Sequence, residues 1–276
     1  MTEKGTTADS PDRWDAASSG YAKKVAPFLM EAFADTFVER LNVDSDAEVL
    51  EVAAGSGALT EALARRVKSV LATDYAPKMI EVLQQRMQAA GTTNVRCAVM
   101  DGQALDLDDN SFDAAACSFA LMLFPDRSKG FSELSRVLRP GGRALVSAWA
   151  ALDKFEAFGL FLGAMKAAFP DMPPPPLPPP TFSLSDPADF RAQMEAGGFR
   201  DVEVEFVSRD LEVASFDEMW GMLTVGAPSV QVLFDRIGVA GQHQLRIALE
   251  EIVEERFGNG PIATTNVATV AVGNAA

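Results

Sequence analysis

Residues 49–60 read VLEVAAGSGALT, an apolar run that enters a Gly-Ser-Gly corner and leaves it as a helix. Gly55 and Gly57 carry no Cβ, so the backbone there can approach a ligand closely, and the N–H groups opening the next helix can hold negative charge. Asp74 closes the following apolar run in LATDYAPKM, and Asp101 closes the one after it in VMDGQALDL. In an open doubly wound sheet, ligands bind outside the carboxyl ends of the strands, where strand order reverses. An acid at 74 can accept hydrogen bonds there from both hydroxyls of a ribose. An acid at 101, followed by the N–H groups of Gly102 and Gln103, can hold the amino and ring-nitrogen edge of an adenine. Taken singly, the corner is equally a plain tight connection, and either aspartate an N-cap for the segment after it. Three such signals at the tips of consecutive strands point to one nucleotide-type site.

Those tips need a sheet to bring them together. Short apolar segments at 47–54, 69–74, 94–101, 111–119 and 141–150 read as strands, and 59–67, 76–90 and 127–138 as the helices between them. Pro77 suits the first turn of its helix and Gly91 the end, while Pro140-Gly141-Gly142 is expected to stop the third helix before the fifth strand. Alternation of this kind predicts a doubly wound, mostly parallel α/β sheet covered on both faces. Upstream, Phe28, Phe33, Phe37, Val38 and Leu41 recur at helical spacing within 13–41. Beyond 150 the rhythm breaks into an aromatic helix at 153–169 and PDMPPPPLPPP at 170–180, which reads as a polyproline II spacer. It resumes with a helix at 186–199, a strand at 201–213, a helical stretch at about 216–257 and a final strand at 263–272, seven strands in all. The expected organisation is a disordered start at 1–12 and one domain at 13–276, carrying lid-like helical insertions at 151–180 and 214–258.

VLEVAAGSG, LATDYAPKMI, MDGQALDLDDNSFDAAACSF and LSRVLRPGGRALVSAW together resemble the class I S-adenosylmethionine-dependent methyltransferases, particularly the ubiquinone/menaquinone-biosynthesis-like group. The likeness is close over 47–150 and loose elsewhere. It implies the Rossmann-like methyltransferase fold and S-adenosylmethionine as cofactor. Carried onto this chain, it gives the methionine end of the cofactor to Gly55 and Gly57, the ribose to Asp74, and the adenine to Asp101, Gly102 and Gln103. Glu51 corresponds to the acid that orients the cofactor's amino group. Ser118 and Phe119 would line the cofactor, Tyr75 and Met79 would flank its adenine and ribose, and Tyr21 would cap the pocket. The first glycine of the usual turn is Ala53 here, whose methyl narrows the site slightly on its strand side.

Methyl transfer from a sulfonium needs alignment, exclusion of water and, for a protonated nucleophile, a proton acceptor. No catalytic constellation is visible. His243 is the only histidine and the natural base near neutral pH, but GQHQLRIALEE reads as the polar face of an amphipathic helix. The insertions are expected to build the acceptor pocket from Phe155, Phe158 and Phe161 and from Met219, Trp220, Met222 and Leu223, with Leu121, Met122 and Phe124 facing the same space. For any one of these side chains, core packing is the commoner fate. With 18 Phe and 11 Met partly gathered in those segments, the expected acceptor is a small apolar or aromatic molecule.

The net charge of −15 disfavours nucleic acid and anionic membrane as partners. No apolar run is long enough to span a bilayer, and the first ten residues lack the pattern of a secretory signal. Cys97 and Cys117 lack metal or disulfide spacing, so no metal is expected and the chain reads as a cytoplasmic protein. Two rival readings remain from the residues: a catalytically silent cofactor-binding protein, and an NAD-dependent oxidoreductase. The latter would want a third glycine where Thr60 stands, and leaves Asp101 and the LRPGG block unexplained.

Overall fold

The computed structural model describes residues 10–172, 180–225 and 228–276. Its strands are β1 (Glu48–Val52), β2 (Ser69–Asp74), β3 (Val95–Val99), β4 (Phe112–Ser118), β5 (Leu138–Trp149), β6 (Phe199–Val213) and β7 (Ile262–Ala275). They form one sheet in the order β3-β2-β1-β4-β5-β7-β6. β1 to β5 pair in parallel, whereas β7 runs antiparallel to both of its neighbours. The expected mostly parallel, seven-stranded α/β sheet is therefore what forms. Strand order reverses between β1 and β4, the position at which open α/β sheets leave a crevice at their carboxyl edge.

The sheet interior follows from composition. Val49, Leu50, Val52, Val70, Ala72 and the stretch 114–117 are buried, so the central strands are apolar on both faces, as strands roofed by helices on both sides must be. The helices are α1 (Pro11–Gly20), α2 (Glu31–Leu41), α3 (Ala58–Ala64), α4 (Pro77–Ala89), α5 (Arg127–Val137), α6 (Glu156–Ala168), α7 (Pro187–Ala196), α8 (Phe216–Val225) and α9 (Pro228–Phe257). Local chemistry marks several ends. The Asp126 carboxylate accepts the Lys129 N–H at the start of α5, and that of Asp186 accepts two N–H groups at the start of α7.

Some elements differ from the sequence expectation. α5 ends at Val137, and strand pairing begins at once with Leu138 rather than after the glycines. Pairing then jumps from Phe112–Leu138 to Ala114–Arg143, so the Pro140-Gly141-Gly142 stretch is a bulge inside β5 rather than a stop before it. Upstream, α1 and α2 are joined by a π-helical segment (Tyr21–Met30) with Pro27 inside it, where a regular α-helix would clash. Residues 1–9 of the expected disordered start lie outside the described residues, and α1 begins at Pro11. The proline-rich spacer lies outside them from 173 to 179.

Two hydrophobic clusters form. One straddles the sheet and includes α2, α5 and α7. The other is built by the insertions, with Leu160 and Phe161 of α6 against Met219 of α8 and Phe234, Leu245 and Leu249 of α9. α9 bends at Gly238, whose φ of 64° and ψ of −177° suit glycine alone. No helix among the described residues is long and apolar enough to cross a membrane.

Candidate functional site

At the carboxyl ends of β1, β2 and β3 lies a hollow of about 360 Å³. β1 brings Ala53 and Gly55 to it, β2 brings Asp74 and Tyr75, β3 brings Met100, Asp101, Gly102 and Gln103, and β4 brings Ser118 and Phe119. Met79 of α4 closes one side, and Tyr21 with Trp14 covers the hollow from the N-terminal helices, their rings edge-on at 5.6 Å. The tips named from the sequence thus converge on a single space.

Asp74 holds the corner together. Its Oδ2 accepts the Gly55 N–H at 2.9 Å and its Oδ1 accepts the Ala76 N–H at 2.9 Å. Burial raises its pKa, and these backbone donors work against that rise. The Tyr75 backbone N–H acts on the same carboxylate, so three backbone donors surround it. Asp101 is exposed, and its Oδ1 accepts both the backbone N–H of Gln103 at 2.9 Å and the Gln103 side-chain amide at 3.2 Å. That corrects one expectation: the Gln103 N–H is already taken by Asp101, which leaves Gly102 as the backbone donor there. Gln103 Oε1 in turn accepts the Asp126 N–H, tying the β3 tip to α5.

Glu51 and Gly57 do not line the hollow. Glu51 lies beneath it in β1, 1% exposed, with Oε2 accepting from the Thr60 hydroxyl at 2.6 Å. Burial pushes its carboxyl up to about 8, the nearby Asp74 charge adds to this, and Thr60 opposes it. Gly57 starts α3 with φ +89°, and a Cβ there would press on Leu83. Between the glycines, the Ser56 hydroxyl is buried with no hydrogen-bond partner among the described residues.

Two non-glycine residues around the hollow take left-handed conformations, Ala53 at φ 55° and Phe119 at φ 52°. Phe119 is held there by its N–H, which donates to the Ser147 hydroxyl at 3.0 Å, and by its ring, stacked on Trp149 at 4.2 Å. Ala53 shows why a glycine is usual at its position: the backbone there demands positive φ. Ala53→Gly is expected to stabilise the fold by about 0.5–1 kcal/mol, seen as a higher denaturation midpoint. Gly102 is the opposite case. A Cβ there would sit 2.6 Å from Val52 Cγ1 and 2.8 Å from Phe124 Cζ. Gly102→Ala is expected to cost about 1–3 kcal/mol of stability in chemical denaturation, because the core-facing valine cannot yield as a surface side chain would.

Of the expected acceptor-pocket residues, only Phe124 lines the hollow. Phe155 is buried and stacks on Trp149 at 4.3 Å, and Phe158 packs beside it and Phe182. Leu121 and Met122 are buried in the core, and the Met122 carbonyl accepts from Ser183. Phe161, Met219, Trp220, Met222 and Leu223 belong to the cluster between the insertions, with Trp220 5.8 Å from Phe234. In these segments aromatic and methionine spacing serves helix-on-helix packing. His243 is exposed on α9 and does not line the hollow. The Cys117 thiol is pushed up to about 12 by burial, which makes it inert.

Trp14, Met100, Leu123 and Pro125 line the hollow without having been singled out. Trp14 lies seven residues before Tyr21, two helical turns away on the same face, a spacing that could have found it. A larger groove of about 1140 Å³ opens along β2 and β3 beneath the 103–111 loop. Two of its charged groups, Glu133 and Arg136, satisfy each other at 2.7 Å.

Residues 50–146 match the family model of the methyltransferase domain. A demethylmenaquinone methyltransferase of Clavibacter sepedonicus is 41% identical over 98 residues, 36% of this chain and 39% of that protein. A ubiquinone/menaquinone biosynthesis C-methyltransferase of Idiomarina loihiensis is 36% identical over 103 residues, 36% of this chain and 41% of its own length. The chain thus spans about two fifths of these curated relatives. Among solved structures, the YcgJ protein of Bacillus subtilis superposes with a TM-score of 0.58 at 19% identity, covering 87% of this chain and 96% of its own, which shows a shared fold. The matched stretch contains the β1, β2 and β3 tips, so the resemblance read from their motifs is borne out there.

Proposed function

We propose that this chain, whose residues 50–146 are a methyltransferase domain of the ubiquinone/menaquinone-biosynthesis type, binds S-adenosylmethionine and passes its methyl group to a small apolar or aromatic acceptor. The observation that carries this is the convergence of Gly55, Asp74 and Asp101, from three strand tips, on one hollow. Asp74 would hold the ribose, Asp101 and the Gly102 N–H the adenine edge, and the Gly55–Gly57 corner with Glu51 the amino-acid end. The residues present fit that group: among the described residues the Ser56 hydroxyl is buried without a partner, and no lysine or arginine lines the hollow to repel a sulfonium.

When bound, the cofactor supplies a methyl group activated by positive charge on sulfur. The chain's part is to align and to exclude water. Trp14 and Tyr21 roof the site, while Leu123, Phe124 and Pro125 give it an apolar wall. Burial and the Asp74 charge hold Tyr21 well above the usual phenol range, so it keeps its proton and acts as a hydrogen-bond donor rather than a base. The apolar wall, together with the relatives' names, favours a quinone-like or phenolic ring as acceptor. The protein is read as a cytoplasmic enzyme that engages neither nucleic acid nor membrane, with 13–276 a single domain carrying its two helical insertions.

The oxidoreductase alternative is not favoured. Thr60 replaces the third glycine of a dinucleotide corner, and the antiparallel β7 departs from the all-parallel dinucleotide sheet. A silent binding protein is not favoured either, given two catalytically named relatives. Calorimetry with S-adenosylmethionine, S-adenosylhomocysteine and NAD, followed by a methyl-transfer screen over small phenols, amines and quinone-like lipids, tests the proposal. Binding of the first two ligands and turnover of a ring acceptor are expected. Binding of NAD alone would overturn it.

A further inference from the structure

Thr60 is the one buried polar side chain of α3 whose hydroxyl reaches back under the glycine corner. It is 0% exposed and donates to Glu51 Oε2 at 2.6 Å. Glu51 itself is 1% exposed, and Thr60 pins it through Oε2. A carboxyl this buried stays protonated at neutral pH unless an opposite charge faces it. Its β-sheet neighbours supply no such charge, because Glu51 stands in register with Ala72 on one side and Ala116 on the other. Arg86, whose charge acts on it, is already engaged by Glu31 and Glu61 at 2.7 and 2.6 Å.

We infer that Thr60 is a positioning residue for recognition of the cofactor's amino group. Its hydroxyl holds Glu51 in one rotamer, with the second oxygen presented to the ammonium end of the ligand at the Gly55–Gly57 corner. The inference rests on the proposed cofactor reading and deepens it by assigning how the amino-acid tail is told from its absence. It also gives a physical content to the departure at position 60. A glycine there, as a dinucleotide corner would have, leaves Glu51 without its donor. Thr60 acts through Glu51 and touches no reacting atom.

The test separates tail recognition from adenosyl recognition. S-adenosylhomocysteine and 5′-methylthioadenosine share the adenosyl thioether, and only the former carries the ammonium and carboxylate. Thr60→Val keeps the shape and removes the hydroxyl, and Thr60→Ser restores a hydroxyl. By calorimetry, Thr60→Val is expected to bind S-adenosylhomocysteine roughly 10- to 100-fold more weakly, the range for a lost hydrogen bond to a charged group. Its affinity for 5′-methylthioadenosine should stay unchanged, and Thr60→Ser should return both to wild-type values. Equal weakening of both ligands, unchanged S-adenosylhomocysteine binding, or no recovery in Thr60→Ser would overturn the inference while leaving the cofactor site standing. A wild-type protein that binds neither ligand would remove the cofactor reading and this inference together.

Discussion

Asp74→Ala is expected to weaken S-adenosylhomocysteine binding by at least about 100-fold, the equivalent of roughly 3 kcal/mol. Two losses combine. Ribose hydroxyls lose a charged acceptor, and the N–H groups of Gly55 and Ala76 lose the oxygens that hold them at 2.9 Å. Since Asp74 is only 6% exposed, water replaces these bonds poorly. Ala54 donates to the Thr73 carbonyl at 2.9 Å, and the Asp74 carboxylate is the side-chain anchor of the corner to β2, so the variant should also show faster amide exchange at residues 55–57. Asp74→Asn retains one acceptor oxygen and is expected to fall between wild type and alanine. Unchanged calorimetric affinity in Asp74→Ala would remove the ribose from the β2 tip.

Glu51→Gln is expected to trade binding for stability. The Glu51 carboxyl, pushed up from 4.5 to about 8 by burial and then by the Asp74 charge, keeps its proton in the ligand-free fold at neutral pH. An unfolded chain would have released it. Between those two values the folded state binds the extra proton, so stability falls as pH rises from about 4.5 through about 8. Glutamine carries no ionisable proton and escapes that penalty. Glu51→Gln should therefore melt above wild type, with a gap that widens from acid to alkaline pH and reaches on the order of 2–4 kcal/mol.

Binding should show the opposite sign. An ammonium placed against Glu51 favours its ionised form, so S-adenosylhomocysteine binding at neutral pH is expected to release a proton from the wild-type protein. Affinity should accordingly rise with pH up to about 8. In Glu51→Gln the release disappears and affinity drops roughly 10- to 100-fold. Calorimetry in buffers of different ionisation enthalpy measures both effects. A Glu51→Gln variant no more stable than wild type at alkaline pH would mean that the carboxyl is not held in its protonated form.

Local pattern was enough to find the tips of the site. Gly55, Asp74 and Asp101 each follow an apolar run that forms a parallel strand, and such strands carry their ligand groups at the carboxyl edge. These are short-range facts, written in a few adjacent residues. The same is true of the helix starts at Pro77 and Asp186 and of the cofactor class, which follows from the motifs of the matched stretch.

Long-range contacts decided the rest. Whether the last strand enters the sheet antiparallel, between β5 and β6, depends on which edge is free after β5 forms, and nothing in 262–275 states it. Phe158, Phe161 and Trp220 show the same limit. A helical stripe of aromatics has one period whether it faces a ligand or another helix, and here α6, α8 and α9 had each other to cover. Likewise the Gln103 N–H is free on paper and taken in space, because the turn after β3 folds Asp101 back onto it. The sequence by itself determined which residue types stand at the strand tips and what ligand chemistry they suit. Tertiary structure alone decided which of their atoms remain open to a ligand, since burial and hydrogen-bond saturation are properties of neighbours far apart in the chain.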